Sequence, residues 1–284
     1  MTENALGAVK SAADVLRAAG VTNTKREATL LLAHAIGEDS GFLHREPERH
    51  LTVQQKETFD RLVERRSKRE PLSHLTGHRE FWSLDFLVTA DVLDPRADSE
   101  TLIESALARC EDTFKPRRIL DLGTGSGCLL LSLLSELPKA TGVGIDKSDA
   151  ALAVARKNAV RLGLDAQAEF FFGNWARGRD EKFDLVVSNP PYIPSGEIEG
   201  LQPEVRDYEP HAALTGGTDG LDCYRQILFD VHKVLRPGGL LIFEVGAGQA
   251  SDVGRMMQQA GFSQLKYHRD LASIERCVSG FLAD

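Results

Sequence analysis

Ile119-Leu120-Asp121-Leu122-Gly123-Thr124-Gly125-Ser126-Gly127 is the stretch that decides the fold of this chain. A short apolar strand runs into a glycine-rich turn, and the turn opens a helix expected near residues 126–136. Glycines at such a turn let the backbone come close to a ligand, while the helix N-terminus directs N–H groups toward it. The dinucleotide-binding form G-x-G-x-x-G requires glycine at position 128, which here is Cys128.

Downstream, strand and helix patterns alternate, which implies parallel β-α-β units. Strands are expected at 119–122, 142–145, 168–172, 185–188 and 240–245, and helices near 149–162, 221–235 and 250–260. Residues 264–268 and 274–281 complete the pattern as a final strand pair. Ligands of open α/β sheets sit beyond the carboxyl ends of the strands. The Gly123 turn, Asp146, Trp175 and Asn189 all fall at such ends.

Upstream, residues 1–75 read as a small all-helical domain. Val9, Ala12, Ala13 and Leu16 form one apolar stripe; Ala28, Leu31, Leu32, Ala35 and Ile36 form a second that stops at Gly37. Thr52 and Gln55 have the spacing of a capping box for a third helix, with Phe59, Leu62 and Val63 facing inward. That helix ends in Arg65-Arg66-Ser67-Lys68-Arg69, read as a solvated terminus that complements the helix dipole, with a docking surface as the alternative. Residues 76–93 bring Phe81, Trp82, Leu84, Phe86, Val88 and Val92 at roughly alternating positions, the pattern of a β-hairpin or extended linker. Residues 94–284 then form the ligand-binding domain.

Net charge is −8, unevenly spread. Residues 1–75 hold 12 basic and 11 acidic side chains, leaving 22 against 31 for the remainder, so the part that carries the site is acidic. Nucleic-acid binders usually present a basic face, and no stable nucleic-acid partner is expected. No run of about 18 apolar residues occurs, so no membrane span is expected. The N-terminus has no secretion-signal pattern and the four cysteines form no C-x-x-C pair, so a cytoplasmic protein with reduced thiols is expected. The eight histidines include one H-x-x-x-H pair, His74 and His78, with no further histidine or cysteine close in sequence, and no metal site is expected.

Asp146 is placed to accept hydrogen bonds from a ribose diol, and the aromatic residues of Phe171-Phe172-Gly173-Asn174-Trp175 to flank an adenine ring. The fourth strand ends in Asn189-Pro190-Pro191-Tyr192. Two prolines stop the ladder and stiffen the backbone. The Asn189 side chain, the Pro190 carbonyl and the Tyr192 ring supply two acceptors and an aromatic lid, a set suited to a planar NH2 group on an sp² carbon.

With these motifs in place, the chain resembles the class I S-adenosylmethionine-dependent methyltransferases that modify planar amino groups. Four stretches resemble more specifically the bacterial peptide-chain release factor N(5)-glutamine methyltransferases: Arg69 to Phe81, Leu93-Asp94-Pro95-Arg96, Asn189 to Tyr192, and Tyr208-Glu209-Pro210 through Gly216-Gly217-Thr218-Asp219-Gly220-Leu221. The resemblance runs from about Arg26 to the C-terminus and implies a Rossmann-like seven-stranded sheet with helices on both faces, preceded by the helical substrate-recognition domain. It implies that Gly123, Thr124, Gly125, Ser126, Gly127, Asp146, Trp175 and Asn189 hold S-adenosyl-L-methionine. Asn189, Pro190, Pro191 and Tyr192 are then implied to hold the glutamine of a release factor's Gly-Gly-Gln loop, with Asn189, Pro190 and Tyr192 catalytic. A monomer is expected. The sequence departs from the family at Ala97-Asp98-Ser99-Glu100, where a proline and a threonine are usual, and at Asn174, where an aspartate is common. Rival readings are a ribosomal-protein glutamine methyltransferase, an N6-adenine methyltransferase of DNA or RNA, and a non-catalytic cofactor-binding module.

Overall fold

The computed structural model describes residues 3–110 and 114–283. Residues 1 and 2, which open the stretch searched for a secretion signal, lie outside the described residues. The chain divides into two compact units: residues up to His78 together with Gln202–Tyr208, and Arg79–Leu201 together with the chain from Glu209 onward.

The first unit is built on helices Ala5–Ala18, Thr24–Ile36 and Val53–Ser67, with short helices at Phe42–Arg45 and Leu72–Thr76. Its core takes Val9, Leu16, Leu31, Leu32, Phe59 and Leu62 from the stripes read in the sequence, while Ala35 and Ile36 lie at its margin. Gly37, at φ +74°, ends the second helix in the left-handed conformation that glycine adopts without penalty. The capping box at Thr52 is complete: Gln55 N–H donates to Thr52 Oγ1 at 3.2 Å and Thr52 N–H to Gln55 Oε1 at 3.1 Å.

The basic end of the third helix is solvated only in part: Arg65 and Lys68 are exposed, whereas Arg66 and Arg69 turn inward to carboxylates. Arg66 is 5% exposed; its Nε donates to Glu27 Oε2 at 2.6 Å and its Nη1 to Glu204 Oε1 at 3.1 Å. Arg69 grips the same Glu204 through Nε at 2.6 Å and Nη2 at 2.7 Å, and Lys68 pairs with Glu64 at 2.8 Å. Arginine's planar fork matches carboxylates held in two directions, which a sequence shows only as a basic run. Arg66→Ala strands Glu27 and removes half the clamp on Glu204. Removing one partner of a buried pair costs about 3 kcal/mol. Amide exchange across residues 53–67 should accelerate accordingly, and unchanged exchange would refute the role.

The second unit holds a seven-stranded sheet in the order β5-β4-β3-β6-β7-β9-β8, preceded by the hairpin β1 (His78–Phe81) and β2 (Leu84–Leu87). The seven are β3 (Arg118–Leu122), β4 (Thr141–Asp146), β5 (Ala168–Phe172), β6 (Phe183–Ser188), β7 (Leu235–Glu244), β8 (Phe262–Arg269) and β9 (Glu275–Leu282). All neighbours up to β7 pair in parallel, and β9 runs antiparallel to both β7 and β8. Side chains alternate between faces along each strand. Ile119, Leu185, Val187 and Ile242 join one core with helices Glu100–Arg109, Cys128–Glu136 and Asp149–Leu162. Leu120, Val186, Leu241 and Phe243 join the other with helices Asp222–Asp230 and Ala250–Gln259. Both faces are therefore covered, as a mostly parallel sheet requires.

Residues 78–87 do more than link. Phe81 and Phe86 are buried in the first of these cores, and Asn158, fully buried, accepts from Leu87 N–H at 2.7 Å and donates to Leu87 O at 3.1 Å. The helix expected over 221–235 ends at Asp230, because Leu235 already pairs with Phe183 as the first residue of β7.

Candidate active site

The chain order of the sheet reverses between β4-β3 and β6-β7, which opens a crevice beyond the carboxyl ends of β3 and β6. A cleft enclosing about 850 Å³, part of it open to solvent, lies there, lined by Gly123, Gly125, Asp146, Trp175, Asn189 and Pro191 among others.

The glycine turn is held from below. Gly123 and Thr124 N–H both donate to Ile145 O, at 2.8 and 3.0 Å, and Thr124 Oγ1 donates to Asp121 Oδ2 at 2.7 Å. Asp121 is fully buried, and burial pushes its carboxyl up to about 7. Gly125, at φ +54° with open space around its Cα, donates its N–H to Asp146 Oδ2 at 2.9 Å. Asp146 Oδ1 accepts from Ser148 N–H at 2.9 Å. A carboxylate has about four lone-pair sites, so Asp146 keeps acceptor capacity toward the cleft. Of the residues expected at the cofactor, Thr124, Ser126 and Gly127 do not line the cleft. Thr124 and Ser126 are buried, Ser126 O accepts from Asn158 Nδ2 at 2.9 Å, and a Cβ at Gly127 would press on Leu131 and Ala155. They shape the turn from behind.

Trp175 forms one wall. Its backbone is left-handed at φ +53°, a costly conformation for a bulky residue that the fold holds in place. Its Nε1 donates to Gln226 Oε1 at 3.0 Å, and its ring lies 3.3 Å from where a Cβ on Gly123 would sit. Asn174 also lines the cleft.

Opposite, Asn189 is partly buried and lines the cleft with Pro191, whereas Pro190 is buried. Among the described residues no backbone N–H donates to the Pro190 carbonyl. Asn189 Nδ2 donates to Ser99 Oγ at 3.3 Å. Tyr192 is partly buried and packs against the core; burial pushes its phenol up to about 12, so it stays neutral. The loop with the departure at Ala97–Glu100 is firmly tied: Arg96 Nη2 donates to the buried Glu209 at 2.6 Å, Arg276 pairs with Asp98 at 3.1 Å, and Glu100 accepts from Trp82 N–H at 2.8 Å.

Residues 7–77 match the family described as PrmC N-terminal domain, and residues 114–274 match the family described as methyltransferase domain. A release factor glutamine methyltransferase of Rhodospirillum rubrum is 45% identical over 93% of this chain and 80% of its own length. One of Caulobacter vibrioides is 41% identical over 99% of this chain and 97% of its own. This chain belongs to the release factor glutamine methyltransferases. Among solved structures, the catalytic domain of hMettl16 in complex with MAT2A 3'UTR hairpin 6 aligns with a TM-score of 0.60 at 16% identity, over 75% of this chain and 81% of that one. A methyltransferase from Pyrococcus furiosus aligns at 0.51 and 14% identity, over 78% and 99%. At these identities the likeness is one of fold alone.

In this release factor glutamine methyltransferase the structure adds residues that sequence patterns do not show. Gln249 Nε2 donates to Tyr192 O at 3.0 Å and to Gly220 O at 3.4 Å, while its Oε1 accepts from Gly246 N–H at 3.0 Å. Ser99 touches Asn189, and Asn158 joins the hairpin to the glycine turn. Apart from Gly246 and Gln249, which are 3 residues apart, these pairs are separated by 29 residues or more, so no local spacing announces them. Among the described residues no helix is long and apolar enough to cross a membrane.

Proposed function

We propose that the chain transfers a methyl group from S-adenosyl-L-methionine to the side-chain amide nitrogen of the glutamine in the Gly-Gly-Gln motif of peptide-chain release factors. The observation that carries the proposal is that Asn189 and Pro191, from the rigid Asn189-Pro190-Pro191-Tyr192 turn, line the same cleft as Gly123, Asp146 and Trp175. The donor set fits the cofactor: a glycine at 125 with open space above it, a carboxylate with spare lone pairs for a ribose diol, and an indole face for a purine. When bound, S-adenosyl-L-methionine supplies an electrophilic methyl group on a sulfonium.

The residues' task follows from the nucleophile. An amide nitrogen is poor because its lone pair is delocalised into the carbonyl, so positioning carries much of the burden. The Asn189 Oδ1 and the Pro190 carbonyl accept the two N–H groups of the glutamine, and the Tyr192 ring covers the amide plane. Both acceptors stabilise the positive charge that develops on nitrogen. The nitrogen then sheds one proton to solvent, and no strong base is required. We assign docking of the release factor to the helical domain over residues 1–75, supported by the match of residues 7–77 to a dedicated family.

The test is transfer of labelled methyl to a purified release factor, to that factor with its Gly-Gly-Gln glutamine replaced, and to adenine-containing oligonucleotides. Label is expected on the intact factor alone. Label on oligonucleotides instead would overturn the proposal in favour of adenine.

A further inference from the structure

Asparagine's terminal amide is nearly the same shape either way round, so only its hydrogen-bond partners decide whether it presents an acceptor or two donors. Presenting donors to a substrate NH2 is repulsive and unproductive. Behind Asn189, away from the cleft, lie two buried groups that the proposed mechanism does not use. Ser99, 3% exposed, accepts from Asn189 Nδ2 at 3.3 Å. Glu244, 2% exposed, ends β7, and because Ser188 pairs with Phe243 in the parallel ladder, Asn189 and Glu244 follow side by side at adjacent strand ends; its Oε2 is a buried oxygen with acceptor capacity to spare. A buried carboxyl at a strand end is expensive unless something needs it there.

We propose that Ser99 and Glu244 are positioning residues that fix the direction of the Asn189 amide, engaging its NH2 from behind so that Oδ1 is the atom offered to the substrate. This rests on the proposed methylation of a glutamine amide and assigns it two further residues. Ionised, Glu244 is an acceptor only and enforces that direction; protonated, it carries a donor and stabilises the flipped amide equally well. Burial raises its carboxyl to about 7, with Ser99, Arg276 and Asn189 pulling it down and Asp98 pushing it up. The charged and titratable groups around it are Arg276 and Cys277 on β9, Asp98, Tyr192, Tyr224 and Cys128. Of these, the phenols of Tyr192 and Tyr224 and the thiols of Cys128 and Cys277 are all raised by burial, so Glu244 is the group that changes charge near neutrality.

The experiment is the pH dependence of kcat for methyl transfer to a purified release factor, with thermal melts as a check of folding. Wild type is expected to show kcat rising as Glu244 ionises near neutral pH. Glu244→Gln, which keeps the shape but cannot ionise, should lose that limb and fall roughly 10-fold at pH 8 with KM for both substrates unchanged, the signature of a misaimed group. Ser99→Ala should show a similar loss in kcat, and Ser99→Thr should recover most of it by restoring the hydroxyl. Wild-type kcat and an unaltered limb in Glu244→Gln would overturn the proposal while leaving glutamine methylation standing. A wild type that labels no glutamine would overturn both.

Discussion

Asn189→Ala should lower turnover by about 10²-fold or more, because it removes one preorganised acceptor aimed at charge that develops only during transfer. The side chain stands at the end of β6, where two prolines close off further strand and hold the backbone stiff. It borders the cleft in front and is tied to Ser99 behind, so it is fixed before substrate arrives. A group fixed in advance pays no reorganisation at the moment of reaction, which is why its loss falls on kcat. The core beneath, with Leu185, Val186 and Val187 fully buried, does not depend on the amide, and the variant should fold. Single-turnover methyl transfer to a release factor, with cofactor and protein substrate saturating, is the measurement. A loss of only two- or three-fold in a folded variant would refute the role of Asn189.

The alternation of strand and helix in the sequence placed every strand of the seven-stranded sheet, since continuous apolar runs such as Leu185–Ser188 are short and bounded by turn residues. One boundary and one surface reading went astray for identifiable reasons. Strand β7 begins at Leu235, five residues before the expected start, because Arg236-Pro237-Gly238-Gly239 reads as a turn but is absorbed as an irregularity between the pairs Phe183–Leu235 and Leu185–Leu240. The basic run Arg65–Arg69 reads as solvated because its carboxylate, Glu204, lies more than a hundred residues away. The same applies to the site. Gly123, Asp146, Trp175 and Asn189 are legible because a strand end and a residue type coincide. Ser99, Glu244, Gln249 and Asn158 act through tertiary contacts, and a single sequence carries no periodicity for those.

The stretch Gly216 to Leu221, which in the sequence only strengthened a resemblance, has a physical reason in the structure. Gly216→Ala should reduce kcat by about 10²-fold, because displacing a reacting group by about 1 Å costs that much. A Cβ on Gly216 would lie 2.7 Å from Gly220 O and 2.8 Å from both Pro191 O and Tyr192 Cα. These are backbone atoms on three sides, so no rotamer change relieves the overlap and the Pro191–Tyr192 segment itself must move. Gly220 is equally close-packed, with a Cβ falling 2.4 Å from Tyr192 O, and its φ of +76° already disfavours a side chain. Gln249 pins the same two carbonyls, Tyr192 O and Gly220 O, so the Gly216–Leu221 segment and the Asn189–Tyr192 turn shift together or not at all. Gly216 does not line the cleft, and cofactor affinity should therefore stay within about two-fold of wild type, far below the 1.4 kcal/mol that a tenfold change represents. Calorimetric titration with S-adenosyl-L-methionine, run beside the kinetic assay, separates the two effects. An equal fall in cofactor affinity and turnover would mean that the Gly216–Leu221 segment supports the cofactor cleft as a whole, and the specific buttressing of Tyr192 would have to be given up.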